Sequence, residues 1–192
     1  MTLDEQLQGE GQSQERVCVF IDGQNLYYRL REDGYATNRW SEGEWSSFLG
    51  QLCPAGSLVE VYYYNAELPQ SHPRHEQQLS YLERMDSHPD ITVRRGYVRR
   101  QGGEMHEKRV DSLIVADMVS LAYENAYDIA ILLSGDEDFV PAVEAVQKLG
   151  KQVRVVCSEQ NLAQELEDAA DQYVPLDTLA LPAKPSGKRG RR

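Results

Sequence analysis

Residues 17–25 of the 192-residue chain read VCVFIDGQN. The first five are apolar and rich in β-branched side chains, which is typical of a strand buried on both faces of a parallel sheet. The run ends directly at Asp22, and Gly23 and Asn25 follow. Because open α/β sheets bind ligands beyond the carboxyl ends of their strands, this stretch predicts a central strand that carries an acid to the ligand-binding edge.

Similar apolar runs recur along the chain and alternate with helical patterns. The other strand-like runs are 58–64, 91–98, 129–133 and 153–157, and the helical patterns cover 41–52, 75–85, 110–122, 139–149 and 161–170. Ser41 and Glu44 have the spacing of a capping box, and Asn161 and Gln164 are the candidates to cap the last helix. The alternation predicts an α/β fold in three layers, a mainly parallel sheet flanked by helices.

Acidic residues also follow a second strand and begin a helix. The segment IAILLSGDED, residues 129–138, places Ser134, Asp136 and Asp138 after a strand, and Asp111 begins the apolar 110–122 pattern. If these acids converge with Asp22, their mutual repulsion must be relieved by protons or by cations. Hard oxygen ligands with little His or thiolate favour Mg²⁺ or Mn²⁺ over zinc or copper.

A simpler interpretation of the same residues is helix capping. Asp and Asn are preferred N-cap residues, and Asp22, Asn25, Asp136 and Asp138 each stand where a cap is expected. Position alone favours capping for any one of them, whereas four acids at strand ends or helix starts favour a site. The pattern leaves both interpretations open.

The charge of the chain limits how it can bind a polyanion. A net charge of −11, from 20 Lys and Arg against 31 Asp and Glu, argues against binding through bulk charge, so a local device is needed. Six Lys and Arg residues fall within 94–109, against two Glu. Residues 99–107 of this basic stretch lack periodicity and are predicted to form an exposed, mobile loop.

The remaining features predict one domain between two tails. Residues 1–15 are expected to be a disordered acidic leader, 16–182 the folded domain and 183–192 a disordered basic tail. No apolar run approaches the roughly 18 residues of a membrane span, and three separated cysteines fit reduced core thiols, so we expect a cytoplasmic protein without membrane contact. The four histidines are predicted to be on the surface, and exposed aromatic residues are the reason to expect a homodimer.

Three motifs resemble one known family in their order and spacing. They are DGQN (22–25), KRVD (108–111) and SGDEDFVP (134–141). From about residue 17 to about residue 157 the chain resembles the NYN domain family, the LabA-like branch of the PIN-like nucleases. The resemblance implies a Rossmann-like PIN fold and Mg²⁺- or Mn²⁺-dependent cleavage of RNA. An endonuclease is then the expected form, and single-stranded RNA the expected partner.

The resemblance also assigns candidate site residues by position. Asp22, Asp111, Asp136 and Asp138 match the family's metal-binding acids, Asn25 the accompanying Asn, and Ser134 the Ser/Thr before the last acid pair. These six form the candidate catalytic set. Asp117 lies about 120° around the helix from Asp111 and is expected to be structural.

Two positions depart from the commonest family pattern, and both bear on how RNA approaches. Arg109 stands where Gly is frequent, and Glu137 stands where a small residue is frequent. The candidates to contact RNA are Arg99, Arg100, Lys108 and Arg109 for the phosphates and Tyr27 and Tyr28 for stacking on a base.

Other functions compete with the ribonuclease hypothesis. A non-catalytic RNA-binding or regulatory module with a PIN-like fold is the main alternative. A Rossmann-like phosphatase or phosphotransferase is weaker, because the haloacid-dehalogenase pattern needs a second Asp where Gln24 stands. A P-loop is weaker still, because the chain has no GxxxxGK[ST] segment. A ribonuclease is favoured because every candidate metal ligand is present.

Overall fold

The computed structural model describes residues 14–101 and 104–184. The strands are β1 (Val17–Asp22), β2 (Leu58–Glu67), β3 (Ile91–Gln101), β4 (Glu104–Lys108), β5 (Ile129–Leu133), β6 (Gln152–Cys157) and β7 (Gln172–Pro175). The α-helices are α1 (Gly23–Glu32), α2 (Glu42–Leu52), α3 (His75–Asp86), α4 (Val110–Tyr123), α5 (Val140–Lys148) and α6 (Gln164–Ala169). Helix α2 begins at the predicted capping box of Ser41 and Glu44.

The strands form one sheet in the order β4-β3-β2-β1-β5-β6-β7. The six strands from β3 to β7 in that order are parallel, and β4 pairs antiparallel with β3 at the edge. Helices α1, α2 and α3 pack on one face and α4, α5 and α6 on the other. The predicted three-layer α/β fold with a mainly parallel sheet is confirmed.

Strand β1 lies at the centre of the sheet because it is apolar on both faces. Val17, Val19 and Ile21 belong to the core under α1–α3, and Cys18 and Phe20 belong to the core under α4–α6. None of these five side chains is more than 1% exposed. The end of β1 is therefore positioned by packing from both layers.

The order of strands reverses at β1, which creates a crevice at the carboxyl edge of the sheet. Strand β1 pairs with β2 on one side and with β5 on the other, and Ile21 lies opposite Leu133. Asp22 and Ser134 therefore leave the sheet side by side. This reversal is the topological switch point at which α/β sheets bind ligands.

The predicted mobile loop at residues 99–107 is wrong. Strand β3 continues through this segment and pairs with β4, placing Tyr97 opposite Lys108 and Arg99 opposite His106. These four side chains are exposed, so the segment lacks the apolar alternation by which a strand is recognised. The two strands are separated in sequence by Gly-Gly, a pair that favours short hairpin connections and lies outside the described residues.

The prediction of surface histidines is wrong for two of the four. His75 and His88 are 6% and 7% exposed. His75 Nδ1 lies 2.7 Å from the carbonyl oxygen of Leu68, and His88 Nε2 lies 3.1 Å from Ser46 Oγ. Because these partners belong to other segments, the polar neighbours in sequence did not indicate them.

The last predicted helix starts later than expected. Helix α6 begins at Gln164 after Ala163, and Asn161 ends a short 3₁₀ turn and caps no helix. The Ala163 N–H donates to the carbonyl oxygen of Gly135 at 2.9 Å. This segment is thus fixed by the loop that follows β5, where it borders the crevice.

The predicted tails and the predicted absence of a membrane span concern different parts of the chain. Nearly all of the expected leader, 1–15, and of the expected tail, 183–192, lies outside the described residues. In the part of the chain that is described, the helices are too short or too polar to cross a membrane. Cys18, Cys53 and Cys157 are buried free thiols.

The junction of β1 and α1 leaves no room for a side chain at Gly23, and this gives a test of the packing. A Cβ there would stand 2.5 Å from Cζ of Tyr63, a buried ring packed against Trp45 and Tyr81. We expect Gly23→Ala to lower the free energy of unfolding in urea by about 1–3 kcal/mol. Gly50→Ala is the control: apart from its chain neighbours and the nearby backbone of its own helix, nothing described lies within 4 Å of its added Cβ, and it should stabilise α2 by up to about 1 kcal/mol. Equal stabilities of the two variants would contradict this account.

Candidate functional site

A cleft of about 390 Å³ opens at the switch point. Its lining comprises Asp22, Gln24, Asn25, Tyr28, Arg29, Glu32, Val110, Asp111, Asp136 and Asn161. Four of these side chains are acidic and one, Arg29, is a cation. The crevice predicted from the sequence is therefore a concave and strongly acidic surface.

Asp22 is held at this cleft by the start of α1. Its side chain is nearly buried, and Oδ1 accepts hydrogen bonds from the backbone N–H groups of Gln24 at 3.1 Å and Asn25 at 3.0 Å. Asp22 is therefore the N-cap of α1. Both bonds use Oδ1, so the cap does not occupy Oδ2, and capping is compatible with a role in the cleft.

The carboxylates of the cleft influence one another electrostatically. Burial, opposed in part by the cap hydrogen bonds and assisted by the charges of Asp111 and Asp136, raises the pKa of Asp22 to about 6. Burial also raises the pKa of Asp111, and the charges of Asp136 and Asp138 add to this effect. The four predicted acids thus form one electrostatic cluster, whose repulsion a proton or a cation relieves.

Asp111 enters the cleft from the first turn of α4, and the residue two before it has an unusual backbone. Arg109 has φ 76°, in the left-handed region. That conformation favours glycine, which agrees with the resemblance noted above, where glycine is the more frequent residue at this position. Here the Arg109 guanidinium lies over the ring of Tyr97, 5.2 Å from its centroid. The arginine therefore gains a cation–π contact in a conformation that costs backbone energy.

The loop after β5 places its three candidate residues differently. Ser134 is fully buried, and its Oγ accepts a long hydrogen bond from the Asp136 N–H at 3.4 Å. Asp136 lines the cleft and caps a 3₁₀ turn, its Oδ1 accepting from the Asp138 N–H at 3.0 Å. Asp138 is not part of the described cleft lining, although its charge acts on Asp111. The structure thus brings Asp22, Asp111 and Asp136 to one cleft and leaves Asp138 beside it.

The chemistry of the donor set fits a hard divalent cation. The available ligands are carboxylate and amide oxygens, which suit Mg²⁺ and Mn²⁺. Among the side chains that the structure describes, no three His, Cys, Asp or Glu residues form a group close enough to hold a metal ion. Mg²⁺ often uses only one or two carboxylates and completes its shell with water and phosphate oxygens. The cleft therefore suits an ion shared with a substrate better than an ion enclosed by protein.

Five cleft residues were not among the predicted site residues: Gln24, Arg29, Glu32, Val110 and Asn161. Arg29 Nη1 lies 3.2 Å from Glu32 Oε2, and Arg29 Nη2 lies 3.3 Å from Asp33 Oδ2. The Arg29 Nε is buried and has no hydrogen-bond partner among the described residues. Helical spacing was the available signal, because residues four apart, such as Asn25 and Arg29, share a face. Asn161 comes from a remote segment, and its local sequence carries no such signal.

The candidate RNA contacts are divided between the cleft and the hairpin. Tyr28 lines the cleft and is 51% exposed. Arg99 and Lys108 are exposed on one face of the β3–β4 hairpin, and the described cleft lining does not include them. Arg109 directly precedes Val110, the first residue of α4, which lines the cleft. The side chain of Arg100 lies outside the described part of the structure.

Two other basic residues of this stretch are neutralised within the fold. Arg94 Nε lies 3.2 Å from Asp117 Oδ2, which also accepts a hydrogen bond from the Tyr64 hydroxyl at 2.9 Å. Arg95 Nη1 lies 3.5 Å from Glu67 Oε2. Asp117 therefore binds structural partners, and the basic stretch offers less free charge than its sequence indicates.

The raised pKa of Asp22 predicts how stability depends on pH. Since the pKa in the folded state is about 6 and the ordinary value is 3.8, the folded chain binds this proton more tightly, and stability falls as pH rises from about 4 through 6. Asp22→Asn keeps the cap but cannot ionise. In urea unfolding it should exceed the wild type by up to about 3 kcal/mol at pH 8, with the difference vanishing near pH 4. Asp128→Asn is a control of opposite sign, because Arg16 lowers the pKa of Asp128, so neutral pH should favour the wild type. A constant difference between Asp22→Asn and wild type would contradict the raised pKa.

Comparisons with known proteins agree with the fold. The sequence profile of the NYN domain matches residues 16–177. The chain is 28% identical over 171 residues to the low amplitude and bright protein LabA of Synechococcus elongatus, and the match covers 85% of each protein. It is also 42% identical over 67 residues to the uncharacterized protein y4oD of Sinorhizobium fredii, a match that covers 35% of this chain and 30% of that protein. A crystal structure of a protein of unknown function from Vibrio parahaemolyticus matches with a TM-score of 0.61 at 24% identity, over 89% of this chain and 99% of that one. The chain therefore belongs to the NYN domain family and has its PIN-like α/β fold.

Proposed function

We propose that this protein is a ribonuclease that hydrolyses the phosphodiester bonds of RNA with Mg²⁺ or Mn²⁺. The observation that carries the proposal is the meeting of Asp22, Asp111 and Asp136 at one cleft, where burial and neighbouring charges raise the pKa values of Asp22 and Asp111. Clusters of carboxylates with perturbed pKa values are typical of functional sites. Membership of the NYN family supports a nuclease-type fold around that cleft.

The contacts at the cleft support roles for several of the candidates. The proposed ion ligands are Asp22, Asp111, Asp136 and Asp138. Two backbone N–H groups fix the carboxylate of Asp22, and buried Ser134 restrains the backbone that carries Asp136. Asn25 adds an amide that can hydrogen-bond water or phosphate. When bound, a divalent ion supplies positive charge to the phosphate oxygens and lowers the pKa of the attacking water.

Arg29 gives the cleft a phosphate contact of its own. Only 12% of this side chain is exposed, and Glu32 and Asp33 hold its terminal nitrogens. Its buried Nε has no partner in the described part of the chain. A guanidinium fixed in this way binds phosphate oxygens through charge-assisted hydrogen bonds. A bound ion would offset the negative charge of the cleft where RNA binds, and Arg29, whose charge Glu32 and Asp33 already balance, would add directed hydrogen bonds to phosphate.

A second candidate function is a module that holds RNA without cleaving it. The observation that favours it is the lack, among the described side chains, of three metal-ligating residues in one close group. The two functions share the cleft and differ in turnover. RNA binding without cleavage in Mg²⁺ and in Mn²⁺ over a range of pH would favour the module.

Removing one proposed ligand should separate these functions. We expect Asp136→Asn to lower Mn²⁺-dependent cleavage of labelled single-stranded RNA by more than the ~10–100-fold typical of losing an outer partner of a metal site. Mn²⁺ should also raise the melting temperature of the wild type but not of this variant, because only a folded state that binds the ion gains stability.

Glu144→Gln is the matched control for Asp136→Asn. Glu144 is an exposed acid on α5 and is not part of the described cleft lining. It should keep both cleavage and the Mn²⁺-induced thermal shift. Cleavage that persists in Asp136→Asn, or that survives chelation of the metal, would exclude the proposed site.

The proposed role of Arg29 predicts a change in binding rather than in the ion site. Arg29→Gln should raise KM for RNA by roughly tenfold or more, since hydrogen bonds to charged groups contribute about 1.5–3 kcal/mol. The slope of log KM against log salt concentration should fall by about one. Arg31→Gln, on an exposed arginine in the last turn of α1, controls for the loss of charge from that helix. If both variants changed KM equally, Arg29 would have no specific phosphate contact.

A further inference from the structure

A second cavity of about 310 Å³ lies beside the acidic cleft, against α1, α3 and the end of β2. Gln24 and Tyr28 line both spaces, so the two share a wall. A volume near 310 Å³ is at the small end of the roughly 300–1,000 Å³ of ligand pockets. The cavity therefore suits one small group of a ligand that also reaches the cleft.

The second cavity differs from the cleft in charge. Its described lining contains no carboxylate. Exposed Arg74 brings a formal positive charge to this lining, which also includes His72. Five lining side chains are amides, from Asn and Gln. The amides favour a ligand that carries neutral hydrogen-bonding groups, and the lack of carboxylates in the described lining disfavours a metal ion.

Some of these amides are fixed by the fold, and others are available. Gln78 Oε1 accepts from the Leu68 N–H at 2.8 Å, and Gln78 Nε2 donates to the carbonyl oxygen of Ala66 at 3.0 Å. The side-chain amides of Asn38 and Gln77 make no hydrogen bond to the described residues. An amide offers a donor and an acceptor side by side, which is the pattern that pairs with the edge of a nucleobase.

Aromatic rings supply flat surfaces around the same space. The rings of Tyr27 and Tyr28 lie edge to face, with centroids 5.5 Å apart and planes at 70°. Tyr63 and Tyr81 also line the cavity, and their hydroxyls are already engaged, Tyr81 donating to Tyr63 and Tyr63 to the carbonyl oxygen of Gly23. The half-exposed ring of Tyr28 on the shared wall is therefore the surface best placed to stack on an incoming base.

We propose that this cavity binds one nucleobase of an RNA strand whose phosphate lies in the acidic cleft. The proposal rests on the proposed function, because it takes the adjoining cleft as the phosphate site. Stacking on Tyr28 supplies affinity for any base, and the amides of Asn38 and Gln77 discriminate between bases. The protein therefore prefers one base at the nucleotide next to the phosphate that it binds.

Neutral nucleosides test the cavity separately from metal chemistry. The full-length ¹⁵N-labelled chain is titrated, with chelator present, with adenosine, guanosine, cytidine and uridine, and amide shifts are followed by NMR. We expect one nucleoside to bind several-fold tighter than the others, with shifts centred on α1 and α3. Tyr28→Ala should weaken that binding roughly tenfold. Gln77→Ala should remove most of this several-fold discrimination, so that the four nucleosides bind with nearly equal affinity.

A matched control and the cleavage assay separate the outcomes. Tyr123→Ala removes another exposed tyrosine, 80% exposed at the end of α4, and should leave nucleoside binding unchanged. Metal-dependent cleavage without base preference or nucleoside binding would overturn the base cavity and retain the ribonuclease. Nucleoside binding that Tyr28→Ala weakens, in a protein that never cleaves RNA, would retain the cavity and overturn the ribonuclease. Binding that responds equally to Tyr28→Ala and Tyr123→Ala would place the nucleoside elsewhere and overturn the cavity.

Discussion

The parallel pairing of β1 with β5 is the constraint on which the rest of the structure depends. It sets Ile21 opposite Leu133, so that Asp22 and Ser134 leave the sheet at the same point. Both strands are buried on both faces, and a shift of one residue would move every side chain of a strand into the opposite core. The position of Asp22 is therefore set by apolar packing behind the cleft rather than by polar contacts within it.

That packing holds carboxylates where their ionisation is unfavourable. Asp22 is almost buried, and the charges of Asp111 and Asp136 oppose its own. Two features reduce the cost: the backbone N–H groups that Asp22 caps, and the placement of Asp111 in the first turn of α4, where the helix dipole favours a negative charge. The residual repulsion is the physical basis of the proposal that the cleft binds a cation.

The sheet and its acidic residues could be predicted from the sequence because both produce local sequence patterns. A buried parallel strand has a continuous run of apolar residues, and the acids directly follow such runs. The strands and acids at 17–22 and 129–136 could therefore be assigned from the sequence alone. The features that the sequence did not predict lack such a local pattern. In the hairpin segment 99–107, paired Arg99 and His106 are exposed and polar, so no apolar alternation indicates a strand. The burial of His75 and His88 depends on partners from other segments. The second cavity likewise becomes recognisable only when α1 is placed against the rest of the fold.

Helix α1 is the element that joins the acidic cleft to the neutral cavity, the two parts of the proposed RNA site. Leu26 and Leu30, four residues apart, anchor it in the core, Asn25 and Arg29 line the acidic cleft, and Tyr27 belongs to the neutral cavity. Three faces of one helix thus meet three environments that differ in polarity and charge. With a net charge of −11, the surface as a whole repels a polyanion, so in the proposed function attraction would depend on the ion, the guanidinium and the stacking surface around this helix. The overall acidity would then act with the cleft, because it would disfavour RNA binding at the acidic parts of the surface that lack such groups.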